Sequence, residues 1–383
     1  MPGTPSPASD FGPFGDRIWL NCSHQGPIPR VAAEAAGRAV AMKQSPFDLT
    51  KPGIFQEVPA RLRGALGRLI GASPDDIVLG NSTSYGLQLV AQGLDWRAGD
   101  EVLVVEGDFP AVLFPWLVLR DRGVTIRSIT PAGRRVEAAD LARELRPETR
   151  VFCTTWVHSF RGHAVDAPAL AAACRAHGTR FVLNASQGMG ARVFDVEASG
   201  VDVVTSCGFK YLCGPYGTGF TWIRPSLRDR MRPTQAYWLA NLTADDLAGE
   251  FRLDLKPDLG ARAYDVYGTA NFFNVMTWTA SVEYLLSQGL AAIEMWDQAL
   301  VGRLVEGLVA RGWTLRSPVS GPERTTAVIF AGESEAATTR AFEALRARGI
   351  YGAMRQGHIR LSPHLYNTEQ DIDVALEAIG RGD

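Results

Sequence analysis

The feature that most constrains this chain is an alternation of short β-rich runs with helix-period stretches between about residues 30 and 225. Strands are predicted at 77–79, 101–105, 124–129, 150–155, 180–183, 202–206 and 219–223, with helix-period segments such as 138–145 and 167–177 between them. Such alternation predicts an α/β fold in which a mainly parallel sheet of seven strands is covered on both faces by helices. The last strand follows its predecessor after a turn too short for a helical crossover, so those two are expected to pair antiparallel.

At about 150 residues per domain, 383 residues predict two or three domains. Residues 226–275 are aromatic-rich without a clear period, and helices return at 275–288 and 291–311. The remainder reads β (314–317), β (326–331), α (335–348), β (350–353), β (358–362), α (368–379), a small α+β domain. The expected organisation is a flexible tail over 1–17, a large domain over 18–275 and a small C-terminal domain over 276–383.

Composition narrows the class. With 46% hydrophobic and 21% charged residues the chain is an ordinary globular one rather than a disordered one. Lys and Arg (39) nearly balance Asp and Glu (41), so no bulk field favours nucleic acid or anionic lipid. The apolar run 111–119 contains Pro115 and is far too short for a membrane helix. The N-terminus lacks the basic start and apolar core of a signal peptide, so a cytoplasmic protein is expected. Cys22, Cys153, Cys174, Cys207 and Cys213 are scattered without a CxxC pair, which argues against a disulfide framework or a zinc site. No cysteine follows residue 213.

Three segments carry chemistry. Lys210, in Ser206-Cys207-Gly208-Phe209-Lys210-Tyr211, sits just past a predicted strand end and before a glycine-rich turn. Asn81-Ser82-Thr83-Ser84-Tyr85-Gly86 joins a strand to a helix start, where free backbone N–H groups and the helix dipole favour an anion such as a phosphate. The same residues would equally serve as a plain helix N-cap. In Leu183-Asn184-Ala185-Ser186-Gln187-Gly188 a buried strand runs into polar side chains. All three lie at carboxyl ends of strands, where open α/β sheets bind ligands. A phosphate cradle, a strand-end polar group and a lysine in one crevice suit a phosphate-bearing aldehyde cofactor, pyridoxal 5'-phosphate (PLP).

In these segments the chain resembles the fold-type-I PLP enzymes of the class V aminotransferase group, which includes cysteine desulfurases and isopenicillin-N-epimerase-like proteins. The resemblance runs from about Ile18 to Ile379. It implies that Lys210 is the Schiff-base lysine and that Thr83 and Ser84 hold the phosphate. Phe109 would stack on the pyridine ring, Gln187 would bond its phenolic oxygen, and His158 would lie beside it. Gly268 and Thr269 match a segment that reaches the phosphate from a neighbouring subunit, implying a homodimer with shared active sites. Arg360 matches the arginine that grips the α-carboxylate of an amino-acid substrate, a task for which a planar fork suits better than an ammonium. The N-terminal segment 18–30 would line the substrate entrance, giving His24 an acid/base role there.

The resemblance is imperfect. Asn184 stands where the group has Asp, so it cannot supply the charge that keeps the ring nitrogen protonated. Cys207 and Phe209 replace polar neighbours of the lysine. The absent C-terminal cysteine excludes persulfide-forming desulfuration. A weaker electron sink favours substrates with a good leaving group, so the expected function is a C–S β-lyase acting on a cysteine S-conjugate or related β-substituted amino acid. The alternatives are an aminotransferase, an epimerase, or an oxidative or decarboxylative deaminase of a lincosamide-type pathway. The Ala- and Arg-rich composition suits a role in secondary metabolism. A cofactor-binding module without turnover is the remaining class.

Overall fold

The computed structural model describes residues 7–242, 244–249 and 254–382. The seven predicted strands form one sheet: β2 (Ile77–Gly80), β3 (Glu101–Val105), β4 (Thr125–Ile129), β5 (Thr149–Thr155), β6 (Arg180–Asn184), β7 (Val203–Cys207) and β8 (Gly219–Ile223), with β1 (Ile18–Trp19) lying apart. Their order is β2-β8-β7-β6-β5-β3-β4. Only β8 runs against its neighbours, pairing antiparallel with both β7 and β2.

Alternation along the strands explains the two covered faces. In β3, Leu103 and Val105 join one apolar core while Val102 and Val104 join the other. In β2, Ile77 and Leu79 divide from Val78 in the same way. The first core is closed by Leu62, Leu66 and Leu69 of the helix Ile54–Ile70, the second by Leu87 and Val90 of the helix Thr83–Gly93. Each such buried side chain contributes about 1.5–3 kcal/mol relative to exposure. Consecutive apolar residues in a strand are thus the signature of a sheet buried on both sides.

The C-terminal part is a four-stranded antiparallel sheet, in which β9 (Thr314–Leu315), β10 (Val328–Ala331), β12 (Ala353–Arg355) and β13 (His358–Leu361) run in the order β12-β13-β10-β9. Its separate core takes Leu300, Leu304 and Leu308 from the helix Leu290–Ala310. The preceding helix, Phe272–Gln288, passes through the expected division at residue 275 and gives Val275, Trp278, Val282 and Leu285 to the larger core.

Two expectations need correction. The strand predicted over 350–353 is broken at Gly352: β11 (Ile350–Tyr351) pairs with β1, and β12 pairs with β13. A Cβ on Gly352 would lie 2.4 Å from Leu361 Cδ2, so glycine lets the chain cross here. The expected flexible tail does not extend to residue 17. Phe11 is buried against Tyr284 and Tyr366, and Tyr284 Oη donates to Asp10 Oδ2 at 2.7 Å. Residues 1–6 of that tail lie outside the described residues, as do 243 and 250–253 of the aromatic-rich stretch.

Candidate active site

The carboxyl ends of β2, β5, β6 and β7 converge on a cleft of about 350 Å³. A wider hollow of about 790 Å³ lies between residues 13–19 and Tyr351, but no lysine lines it. The cleft is lined by Thr83, Ser84, Phe109, Asn184, Gln187, Lys210, Arg360 and His24, so eight residues singled out in the sequence meet in one place.

Ser82 caps the helix Thr83–Gly93, its Oγ accepting from Tyr85 N at 3.2 Å. The N–H groups of the first turn have no partner inside a helix, and those of Thr83 and Ser84 stand at the cleft. Thr83 Oγ1 is 2.5 Å from Ser186 Oγ, which also accepts from Cys207 N at 3.3 Å. Of the expected phosphate pair, Ser84 therefore has the freer hydroxyl, while Thr83 is tied to the loop after β6. Gly219 lets this turn sit against β8, since a Cβ there would fall 2.8 Å from the Ser82 carbonyl carbon.

Asn184 ends β6, and its Oδ1 accepts from Ser186 N at 3.1 Å. Gln187 Nε2 donates to Ser23 O at 3.1 Å and to Ser159 Oγ at 3.3 Å, while its Oε1 is buried without a partner. Asp108 holds the loop carrying Phe109 by accepting from Thr154 Oγ1, Thr155 N and Thr155 Oγ1 at 2.7–2.9 Å. Lys210 Nζ lies 5.4 Å from the Phe109 ring centre and 5.9 Å from that of Phe209. Burial, reinforced by the Arg360 charge and opposed by Cys207, draws the Lys210 ammonium below the ordinary lysine range.

Arg360 is buried, donates from Nη1 to Ser159 O at 3.2 Å, and keeps an unpartnered Nε. Burial pulls its pKa down to about 10, so it is cationic at neutral pH. Replacing Arg360 with lysine is expected to raise KM for an amino acid about 10- to 100-fold, the loss of one charge-assisted pair. Steady-state kinetics checks this, and an unchanged KM would remove Arg360 from carboxylate binding. His24 lies at the mouth, its pKa lowered by burial and by the charges of Arg355, Arg360 and Lys210.

Three expected residues are not on the cleft wall. His158 is buried behind it with its ring 5.1 Å from that of His163, and its Nδ1 accepts from Phe160 N at 3.2 Å. Its backbone N donates to His163 O at 2.9 Å, so the residue expected beside the ring sits outside the cleft lining. Gly268 and Thr269 also do not line the cleft of their own chain. Their segment is anchored at Asp265, which pairs with Arg63 and accepts from Leu79 N at 3.0 Å. The sequence reading did not single out Ser186, Ser159, Tyr216 or Arg355, all on the wall. Ser186 and Tyr216, the latter in the glycine-rich turn after Lys210, lay inside segments already marked.

These residues fit PLP. A helix start offers N–H groups for a phosphate, Asn184 and Gln187 are buried polar groups with unspent capacity, and a lysine lies between aromatic rings. The class V aminotransferase family model matches residues 55–374. Isopenicillin N epimerase of Streptomyces clavuligerus is 26% identical over 94% of this chain and 93% of its own length. A probable cysteine desulfurase of Methanothermobacter thermautotrophicus is 25% identical over 85% and 82%. Among solved structures, the cystine C–S lyase C-DES in complex with cysteine persulfide superposes with a TM-score of 0.87 at 22% identity, covering 97% of this chain and 99% of that one. The chain belongs to the class V aminotransferase family and has the fold of type I PLP enzymes. It is an enzyme of that PLP-dependent family. Among the described residues no helix is long and apolar enough to cross a membrane.

Proposed function

We propose that this protein is a PLP-dependent lyase that breaks the C–S bond of a cysteine S-conjugate or related β-substituted amino acid, with a role in secondary metabolism. The observation that carries this reading is Asn184, a neutral amide on the cleft wall where the family has a carboxylate. When bound, PLP supplies an electron sink that acidifies the substrate Cα–H. Asn184 can donate a hydrogen bond to the ring nitrogen but adds no negative charge beside it. The sink is then shallow, and a β-substituent that departs with its electron pair relieves the developing charge. Arg360 would hold the α-carboxylate and so orient the Cα–H. The Lys210 amine, neutral more readily than an ordinary lysine, would take the α-proton. Phe109 and Phe209 flank its nitrogen. The product imine hydrolyses to pyruvate and ammonia.

Desulfurase chemistry fits less well, although desulfurases are among the relatives. All five cysteines are buried, Cys207 is the one on the cleft wall, and none follows residue 213. That the fold accommodates C–S cleavage is exemplified by the cystine C–S lyase noted above. The second reading, an epimerase or aminotransferase, is favoured by the nearly full-length similarity to isopenicillin N epimerase. Gly268 and Thr269, off their own chain's cleft, are proposed to serve the phosphate of a partner subunit in a homodimer.

The test is to mix the purified holoenzyme with S-ethylcysteine, without any keto acid, and follow pyruvate alongside the cofactor spectrum. Many equivalents of pyruvate are expected, with the starting spectrum restored at the end. One equivalent converted to the pyridoxamine form, without pyruvate, would replace this reading with an aminotransferase.

A further inference from the structure

The cleft wall carries Lys210, Arg355 and Arg360 but, among the described residues, no carboxylate. Lys210 and Arg360 have tasks in the reading above; Arg355 has none. Its position is nonetheless tightly set. β12 and β13 pair antiparallel with Ala353 opposite Arg360 and Arg355 opposite His358. Opposed residues share a face, as do residues two apart on one strand, so Arg355 and Arg360 project from the same side. They are diagonal neighbours, with stems roughly 7–8 Å apart.

The turn joining the strands leaves this register little slack. It has two residues, Gln356 and Gly357, with φ of +48° and +74°. Two central residues with positive φ define the type I′ hairpin, whose twist matches the paired strands. Gln356 is one of only two non-glycine residues with positive φ among those described, so the chain accepts a strained position to close this hairpin.

Arg355 is exposed at the mouth. Its recorded hydrogen bond runs from Nη1 to Met354 O at 2.8 Å, and no acidic side chain among the described residues forms an ion pair with it. Its charge reaches into the site, lowering the pKa of both His24 and Arg360. One buried and one exposed guanidinium on a single face, with no anion between them, present two separated docking points for negative charge.

We infer that Arg355 is a specificity-determining residue that binds a second acidic group at the far end of the substrate side chain. Substrates whose leaving group ends in a carboxylate are then preferred over plain S-alkyl conjugates. This rests on the proposed reading of the site for the nature of the leaving group, whereas the two-arginine geometry holds for any amino acid bound through Arg360.

The experiment compares the holoenzyme with its Arg355→Gln and Arg355→Lys variants. First, kcat/KM is measured for S-(2-carboxyethyl)cysteine and for S-propylcysteine. The wild type is expected to favour the acid by about 10-fold or more, the size of a charge-assisted contact at a partly exposed site. That ratio should fall toward one in Arg355→Gln, recover in part in Arg355→Lys, and shrink with added salt. Second, calorimetry measures binding of glutarate and butyrate, neither of which reacts. Glutarate is expected to bind at least about 10-fold more tightly, and only while residue 355 is cationic. A glutarate preference that needs Arg355, with no pyruvate from either conjugate, would sink the lyase reading and sustain this one. A glutarate preference equal in wild type and Arg355→Gln, or equal affinity for both acids (including none for either), overturns the inference, even if both conjugates turn over.

Discussion

Lys210→Ala is expected to lower turnover by at least about 10²–10⁴-fold, the usual contribution of a positioned proton-transfer group, and to yield protein that no longer retains PLP covalently. The two rings nearest its nitrogen cannot replace it. Phe109 and Phe209 flank Nζ, and neither can carry a proton. His158 is buried outside the cleft lining, with its ring 5.1 Å from that of His163. The backbone at residue 210 is clamped from two sides. Gly26 N donates to Phe209 O at 2.9 Å, and Cys213 N donates to Lys210 O at 2.9 Å. A Cβ on Gly26 would lie 1.9 Å from Lys210 O, so only glycine lets the N-terminal segment close over this turn. Lys210→Arg should not rescue, because it keeps the charge and loses the amine that must become neutral. With the ammonium drawn below its ordinary 10.5, the neutral form is reached at lower pH, and the rise of kcat with pH should fall below that value in wild type. Absorbance after gel filtration and a kcat–pH profile check both parts. A Lys210→Ala protein that keeps a tenth of wild-type turnover would contradict this role.

The sheet was legible because each strand wears its burial in its sequence. Runs such as Val102-Leu103-Val104-Val105 can only be strands covered on both faces, and their boundaries moved by a residue at most. The short return after Cys207 likewise foretold the one antiparallel strand. The helix start on the cleft wall was legible for a local reason, since a strand, a hydroxyl-rich turn and a helix start are contiguous in the chain. What escaped depends on pairing between distant segments. Gly352 reads as part of one strand until β1, more than 300 residues earlier, is seen to take its first half. Arg355 is an unremarked surface arginine until the hairpin sets it diagonal to Arg360. For His158, off the cleft lining, a strand-end position does not tell which way a side chain turns. His364 carries no signal in the sequence, because its partner Asp297 is 67 residues away on the helix Leu290–Ala310.

That pair leads to the largest stability effect expected here. His364 and Asp297 are both fully buried, with Nδ1 2.7 Å from Asp297 Oδ2. Nε2 lies 3.1 Å from Tyr211 O, an acceptor only, so that nitrogen carries a proton. Burial by itself would depress the His364 pKa, but the Asp297 charge and hydrogen bond outweigh it and raise the value to about 10. Burial pushes the Asp297 carboxyl up while the His364 charge opposes that shift, and the pair fastens the helix Leu290–Ala310 and the segment after β13 to the residue next to Lys210. Removing one partner strands the other as an unpaired buried charge. Asp297→Ala or His364→Phe should each therefore cost about 3–5 kcal/mol. Replacing both, as Asp297→Leu with His364→Phe, should recover much of that loss, because no buried charge remains. Recovery should stop short by about 1–3 kcal/mol, since Tyr211 O is left without a donor. Urea denaturation of the four proteins measures the coupling. If the double variant loses the sum of the two single losses, the pair is not an ion pair but two independent packing groups. The site should register the same changes, for Tyr211 also bonds Ser23 Oγ at 2.7 Å, one residue from His24. Variants that loosen Tyr211 are expected to lower kcat more than they raise KM, because they shift the turn that carries Lys210 while leaving Arg360 on its strand.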